Sequence, residues 1–244
     1  MDELAPGVES IFLGGFVEPQ VRAGIGYQFP VIYGVSYLRD EAGNLIVDDY
    51  GLPQAGEEKV IGNVSPDFRL GFNTTFEFYK FRLSAVLDWK QGGQMYAATQ
   101  GLNDYYGVSK RSQELREMDY FILDGVKADG SKNDIKIYGQ HRSAEDANAA
   151  TAQDYLSAEN NISESMIKDN SFLKLREISL SYPVWSKNDL KVSLNVFARN
   201  IILYSQIKGL DPEASQGNNN MAGGFERFSL PGTSSYGFGI NVNF

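Results

Sequence analysis

Residues 68–91 alternate between apolar and polar side chains, and this alternation limits the folds open to the chain more than any other feature. A period of two residues is typical of a β-strand with one apolar face, because successive side chains point to opposite sides of the backbone. The alternation runs over 68–78, pauses at Tyr79-Lys80 and resumes over 81–91. It therefore predicts a long β-hairpin with its turn at Tyr79-Lys80.

The register of this hairpin follows from the position of the turn. A turn centred between the two arms places Phe76 opposite Leu83 and Glu77 opposite Arg82, so that one register suits the apolar face and also forms an opposite-charge pair. A two-residue hairpin loop favours Asn-Gly or Asp-Gly, and neither is present here. We therefore expect a four-residue loop that keeps the same register.

Further segments predict additional strands. Three of them show the same period of two: 171–183, 190–199 and 235–244. The first of these changes phase near Arg176-Glu177, which predicts a β-bulge at that point. A sixth strand is expected over 31–38. The fold class is therefore all-β with antiparallel strands.

The connections between the predicted strands are of two lengths that alternate along the chain. Tyr79-Lys80 and 183–189 are short, whereas 40–67, 92–170 and 204–234 are long. All long loops should therefore leave the sheet at one end. The loop 92–170 carries 8 basic and 13 acidic side chains. Their net charge of -5 is more than half of the chain's formal charge of -9. A short helix is predicted near 143–158, because Ser143 and Asp146 resemble a capping box.

Two readings of the apolar faces stay open at this point. In a soluble or surface-exposed β-sandwich that binds a ligand, these faces would form the core. In an outer-membrane β-barrel they would meet lipid, and strands of about 9–11 residues with short turns at one end and long loops at the other favour this reading. A small porin or adhesin is a third reading, but a closed barrel needs about eight spanning strands and six are predicted.

The barrel reading assigns the side chains of the strands to two environments. Lipid-facing positions would be Phe68, Leu70, Phe72, Phe76, Phe78, Phe81, Leu83, Leu87, Trp89, Leu190, Val192, Leu194, Val196, Phe238, Ile240 and Val242. Lumen-facing positions would be Arg69, Glu77, Arg82, Asp88, Lys90 and Arg199. Aromatic side chains near strand ends match the girdles that such barrels place at the two membrane interfaces: Tyr79, Trp89, Tyr182 and Tyr236.

Composition argues against several other functions. The net charge of -9 without a basic run disfavours nucleic acid as a partner. The absence of cysteine excludes thiolate metal sites, and the single histidine, His141 beside Ser143, does not indicate an enzyme. Asp40, Asp48 and Asp49 surround a Gly-Asn turn but lack EF-hand spacing, so a solvated turn is preferred to a calcium site, and no metal or cofactor is expected.

Several stretches together resemble one family of membrane proteins. They are "YGVSYLRDEAGNLIVDDYGLP" (33–53), "GNVSPDFRLGFNTTFEF" (62–78), "DWKQGGQMY" (88–96), "SFLKLREISLSY" (171–182), "ARNIILYSQIKGLDPE" (198–213) and the terminal strand. In this order they resemble the C-terminal part of SusC/RagA-like TonB-dependent outer-membrane transporters of Bacteroidetes. The resemblance implies a barrel of about 22 strands, an N-terminal plug and energy supplied through TonB.

The resemblance also implies a role for the chain. Residues 1–244 would be the C-terminal portion of one barrel, an incomplete barrel of about six strands with short periplasmic turns, extracellular long loops and a periplasmic C-terminus. The transporter would import glycans or peptides, and its partners would be membrane lipid, a SusD-like surface lipoprotein and the TonB complex. Tyr236 and Phe244 would form the signal for barrel assembly. Tyr105 and Tyr106, in the loop 92–170, are possible ligand contacts.

Overall fold

The computed structural model describes residues 4–140, 146–187, 190–216 and 224–244. The chain divides into two units, each made of three segments. The sheet unit consists of Pro66–Gly93, Asp169–Ala214 and Leu230–Phe244. The mixed unit consists of Met1–Ser65, Gln94–Lys168 and Ser215–Ser229.

Strands dominate the described residues. In chain order they are β1 (Ser10–Gly15), β2 (Gln20–Gly24), β3 (Val31–Tyr37), β4 (Ala55–Asn63), β5 (Phe68–Phe78), β6 (Phe81–Gln91), β7 (Gln94–Ala97), β8 (Tyr120–Phe121), β9 (Ile137–Tyr138), β10 (Ile167–Asp169), β11 (Phe172–Lys187), β12 (Leu190–Ser205), β13 (Phe225–Glu226) and β14 (Ser235–Asn243). The helices are α1 (Ala98–Tyr105), α2 (Lys110–Glu117) and α3 (Ala152–Asn160), with a 3-10 helix at Ser163–Met166. Among the described residues no helix is both long and apolar enough to cross a membrane.

The sheet unit is built on five antiparallel strands in the order β14-β12-β11-β6-β5. The predicted hairpin register is confirmed, because Phe76 pairs with Leu83 and Glu77 pairs with Arg82. The predicted four-residue loop is wrong: β5 and β6 are joined by Tyr79 and Lys80 alone. Tyr79 takes a left-handed backbone conformation with φ 53°, which lets two residues reverse the chain without the expected glycine.

β11 and β12 are longer than the alternation predicts. The sequence predicts a connection over 183–189, yet pairing continues from Pro183 opposite Ser193 to Lys187 opposite Leu190. A shift of register after Pro183 accommodates this residue, which has no N–H to donate. Residues 188 and 189 lie outside the described residues.

The bulge predicted near Arg176-Glu177 is confirmed. Along the pairing with β6, Leu175 lies opposite Leu87 and Glu177 lies opposite Val86, so that Arg176 is the additional residue. The bulge explains why the apolar period changes phase in this strand.

The sixth predicted strand exists as β3 but belongs to another sheet. In the mixed unit, β3 lies between β2 and β4 in a four-stranded antiparallel sheet of order β1-β2-β3-β4. The sequence predicts a loop over 40–67, but this segment contains β4, whose sequence AGEEKVIGN has no regular apolar alternation. The large sheet therefore has five strands and is open, with β14 and β5 at its edges.

Topology within the sheet unit agrees with the predicted arrangement of connections. Because all neighbours are antiparallel, the turn after Phe78 and the step from Lys187 to Leu190 lie at one end of the sheet. The chain segments 92–171 and 206–234 depart from the other end. We call these the turn end and the loop end.

The described residues of the mixed unit form two apolar clusters. One combines Val21, Ile32 and Phe225, and the other combines Ile137, Tyr155 and Leu156. The second cluster holds α3, which begins later than predicted. Its capping box uses Thr151 and Asp154 rather than Ser143 and Asp146, because Thr151 is followed directly by helical residues. Ser143 itself lies outside the described residues, as does the rest of 141–145.

Candidate functional site: the two faces of the five-stranded sheet

One face of the sheet unit is apolar across all five strands. Cross-strand rows show the arrangement: Leu83 pairs with Leu180, Leu180 with Val196, and Val196 with Phe238. The sixteen positions predicted to meet lipid all share this face. Most of them are exposed, for example Phe72 at 58%, whereas three are partly covered: Leu87, Leu190 and Val192. β11 adds apolar residues to the same face that the predicted set omitted, because the bulge interrupts their period.

Aromatic rings cluster at both ends of this apolar face. At the loop end, Phe68 and Trp89 pack edge to face with ring centroids 5.0 Å apart. At the turn end, the ring centroids of Phe81 and Tyr182 are 4.6 Å apart. Tyr79 also lies at the turn end, and Tyr236 lies near the beginning of β14. The apolar face is thus bordered by aromatic side chains, as in membrane-spanning sheets.

The opposite face is polar. It carries the six predicted lumen-facing side chains, which are Arg69, Glu77, Arg82, Asp88, Lys90 and Arg199. Arg82 and Glu77 are 3.6 Å apart near the turn end, and Arg199 donates to Glu177 at 2.8 Å. Between these pairs lie small hydroxyl side chains, with Thr75 Oγ1 3.2 Å from Ser84 Oγ.

Six charged side chains form one network at the loop end of the polar face. We call Arg69, Asp88, Lys174, Arg176, Asp211 and Glu213 the six-charge cluster. Arg69 Nε donates to Asp88 Oδ1 at 3.0 Å, and Arg176 Nε donates to Asp88 Oδ2 at 3.0 Å. Asp88 therefore lies between two guanidinium groups from neighbouring strands.

The other two acids of the cluster come from the segment that follows β12. Lys174 Nζ donates to Asp211 Oδ1 at 2.9 Å and to Glu213 Oε2 at 2.8 Å. Burial opposes ionisation of both carboxyls, but these bonds and the Arg176 contact outweigh it and lower the pKa of Asp211 and of Glu213. The amide N–H of Gly232 also donates to Asp211, at 2.8 Å.

Sequence reasoning missed four members of this cluster. Arg176 is the additional residue at the phase change of β11, and Lys174 lies two residues before it; the predicted lumen-facing set contains neither. Asp211 and Glu213 belong to a connection, and they approach residues 37 to 39 positions away in the chain. The signal available was the presence of two cations in a segment that otherwise reads as an apolar strand.

The mixed unit contains the remaining predicted contacts. Tyr105 and Tyr106 end α1 with their rings 5.0 Å apart, and Tyr106 is 69% exposed. Asp40 accepts the N–H groups of Ala42 and Asn44, so its carboxylate closes its own turn. Within 4–140, 146–187, 190–216 and 224–244, no group of three or more His, Asp or Glu side chains could hold a metal ion. His141 lies outside these ranges.

A network of ion pairs joins the helices of the mixed unit through Arg111, which is itself 44% exposed. Arg111 Nη2 donates to Glu159 Oε2 at 2.7 Å, and Arg111 Nη1 donates to Asp104 Oδ2 at 2.9 Å. The hydroxyl of Tyr155 donates to the other Glu159 oxygen at 2.7 Å. Burial and the nearby Glu159 raise the pKa of Tyr155. These bonds hold α1, α2 and α3 together and identify no reactive group.

Comparison with known proteins connects this chain to TonB-dependent receptors. No family model matches the chain. TonB-dependent receptor P39 of Formosa agariphila is 24% identical over 202 residues, covering 80% of this chain and 18% of the relative. TonB-dependent receptor P3 of the same organism is 23% identical over 243 residues, covering 90% of this chain and 22% of the relative. The chain thus spans about a fifth of the length of these curated relatives.

Solved structures show the same fold. The structure of the RagAB peptide transporter aligns with all of this chain at a TM-score of 0.62 and 17% identity, over 25% of the solved chain. The RagAB peptide importer in its closed-closed state aligns at a TM-score of 0.58, and in its open-open state at 0.56. The resemblance to SusC/RagA-like TonB-dependent receptors is therefore confirmed, and the fold is that of about a quarter of a RagAB chain.

Proposed function

We propose that these 244 residues form part of the barrel wall of a TonB-dependent outer-membrane importer. One observation carries the proposal: a five-stranded antiparallel sheet leaves one whole face apolar and exposed while its other face holds ion pairs. An exposed apolar surface of this extent is unfavourable in water and suits contact with lipid. The similarity to TonB-dependent receptors also supports this proposal.

In this arrangement the predicted lipid-facing set meets the hydrocarbon of the membrane, and the polar face lines the lumen. The turn end lies toward the periplasm and the loop end toward the outside of the cell. The whole protein would import a glycan or a peptide, with a SusD-like lipoprotein and the TonB complex as partners. The structurally similar RagAB protein is a peptide transporter, which favours a peptide or another polar oligomer as the cargo here.

A soluble β-sandwich that binds a ligand is the main competing function. It would require a second apolar layer over the exposed face of β5, β6, β11, β12 and β14. Both functions agree with the fold but differ in what touches this face. The discriminating experiment therefore measures the surroundings of individual side chains on both faces.

Substituted-cysteine labelling makes this measurement, because these 244 residues contain no cysteine. Single variants Phe72→Cys and Ile240→Cys test the apolar face, and Asn73→Cys and Asn241→Cys are matched controls one residue away on the polar face. Each is made in the whole protein that contains this chain, with other cysteines replaced by serine, and is treated in isolated outer membranes with a charged maleimide. We expect rapid labelling of the two controls only. Equal labelling of both faces would refute the proposal.

A further inference from the structure

The strands of the sheet unit bring a surplus of positive charge to the six-charge cluster. They contribute three cations, which are Arg69, Lys174 and Arg176, and one acid, Asp88. Lys90 lies on the same face, directly opposite Arg69 in the register, and adds to this positive surface. The strands alone would therefore attract anions to the loop end of the polar face.

The two acids that balance this charge differ in how firmly they are held. Asp211 and Lys174 are 6% and 1% exposed, and Asp211 also accepts the N–H groups of Glu213 and Gly232. Glu213 is 30% exposed, and its arginine partners Arg176 and Arg69 are 31% and 53% exposed. Asp211 is a fixed part of the fold, whereas the Glu213 carboxylate has solvent access and partners that solutes can reach.

The geometry around Glu213 matches that of an arginine site for an anionic group. Arg176 donates to both carboxylate oxygens, with its Nη1 2.6 Å from Oε2 and its Nη2 2.5 Å from Oε1. Arg69 Nη2 approaches Oε1 at 3.4 Å. Such a fork of parallel N–H groups is the arrangement by which arginine binds carboxylates and other planar or tetrahedral oxyanions.

There is also space for a larger group beside this pair. A cleft of about 310 Å³ adjoins it and is lined by Lys174, Arg176, Asn200, Glu213 and Leu230, among others. Because Arg176 and Glu213 themselves line the cleft, an anionic group that replaced Glu213 would have room for the molecule attached to it.

We infer that Arg69 and Arg176 form a binding site for a carboxylate or sulfate group of the solute, and that the Glu213 side chain is its intramolecular stand-in. The inference rests on the proposed function, because the polar face must be open to the solute. The site would select acidic oligomers, such as uronic-acid or sulfated glycans and acidic peptides. Release of Glu213 would couple arrival of the solute to the segment that follows β12.

The competition between Glu213 and solute gives a quantitative test. If Glu213 holds the arginines about nine-tenths of the time, its removal raises the apparent affinity for a free anion about tenfold. We would titrate the purified whole protein in detergent with sodium sulfate, sodium glucuronate and glucose at constant ionic strength, using calorimetry. Glu213→Gln should bind one or both anions about tenfold more tightly than the wild type, with no change for glucose.

Two controls make the result specific. Glu177→Gln frees Arg199, a single arginine on the same face, and should leave anion affinity within twofold of the wild type. Arg69→Gln combined with Glu213→Gln should lose the gain. If Glu213→Gln does not fold, Glu213→Asp, whose shorter side chain holds the arginines less well, should show a smaller gain in anion affinity.

Three results would overturn the inference: no gain in Glu213→Gln, the same gain in Glu177→Gln, or a gain that persists without Arg69. Gain for sulfate alone or for glucuronate alone identifies which oxyanion the site accepts. The titration needs neither a membrane nor TonB, so its failure leaves the cysteine-labelling result intact. Failure of the labelling experiment would instead reject the proposed function while anion binding could still be measured.

Discussion

Placing an arginine on the apolar face should destabilise the protein in a way that depends on face and on depth. Phe72 lies near the middle of β5, pairs with Leu87 and is 58% exposed on the apolar face. An arginine near the middle of a membrane-spanning strand costs about 2–4 kcal/mol when it faces lipid, and about 0–1 kcal/mol near the interface. We therefore expect Phe72→Arg to lower the free energy of unfolding by about 2–4 kcal/mol.

Two matched variants give this prediction its controls. Asn73→Arg places the same charge one residue away on the polar face, and Phe68→Arg places it at the loop end of β5. Both should cost about 1 kcal/mol or less. The assay is urea unfolding of the whole protein in lipid vesicles, followed by the gel mobility of folded and unfolded forms. Equal losses in Phe72→Arg and Asn73→Arg would show that the apolar face does not meet lipid.

Other parts of the fold give three further predictions. Lys174→Met should destabilise the protein by about 3–5 kcal/mol in the same urea assay, because it leaves Asp211 buried without its cation. The lowered pKa of Asp211 and Glu213 means that their contribution to stability is complete above their ordinary pKa values and is lost as the pH falls through the lowered ones. The urea concentration at the unfolding midpoint should therefore decrease when the pH is lowered below about 4. This decrease should be less steep in Glu213→Gln than in the wild type, and identical pH profiles of the two proteins would contradict the prediction. Thr151→Ala removes the capping box of α3 and should cost about 1 kcal/mol of local stability, read as faster amide hydrogen exchange in α3 with no change in β5.

The sheet unit was predictable from the sequence to the extent that one face differs from the other. In β5, β6, β12 and β14 this difference imposes a strict period of two, and in the β5–β6 hairpin the period also fixes the register. β4 could not be found in this way, because it carries charged side chains at adjacent positions. It is a strand because it pairs with β3, and this pairing leaves no alternation in its sequence. The two-residue turn was missed because Tyr79 adopts a conformation that its residue type rarely takes.

The six-charge cluster was not predictable for a different reason. Its strand members lie on β5, β6 and β11, and the position of Arg176 depends on a bulge whose exact residue the alternation does not give. Its loop members reach the strands across a connection with no period at all. Ion pairs between distant segments leave little trace in a single sequence, whereas an apolar face places an apolar residue at every second position of each strand.

The bulge at Arg176 determines which residues of β11 lie on each face of the sheet. In an unbroken strand the apolar face that holds Leu173 and Leu175 would next receive Glu177, and Ile178 would turn to the polar face. The additional residue reverses this order along β6, so that Glu177 lies opposite Val86 on the polar face and Ile178 lies opposite Ala85 on the apolar face. One inserted position thus keeps a carboxylate off the apolar face and adds it to the charged side chains of the polar face. The same position supplies the arginine that binds Asp88 and Glu213. Deleting Arg176 would therefore disturb both faces together, whereas replacing it with glutamine would disturb only the polar one.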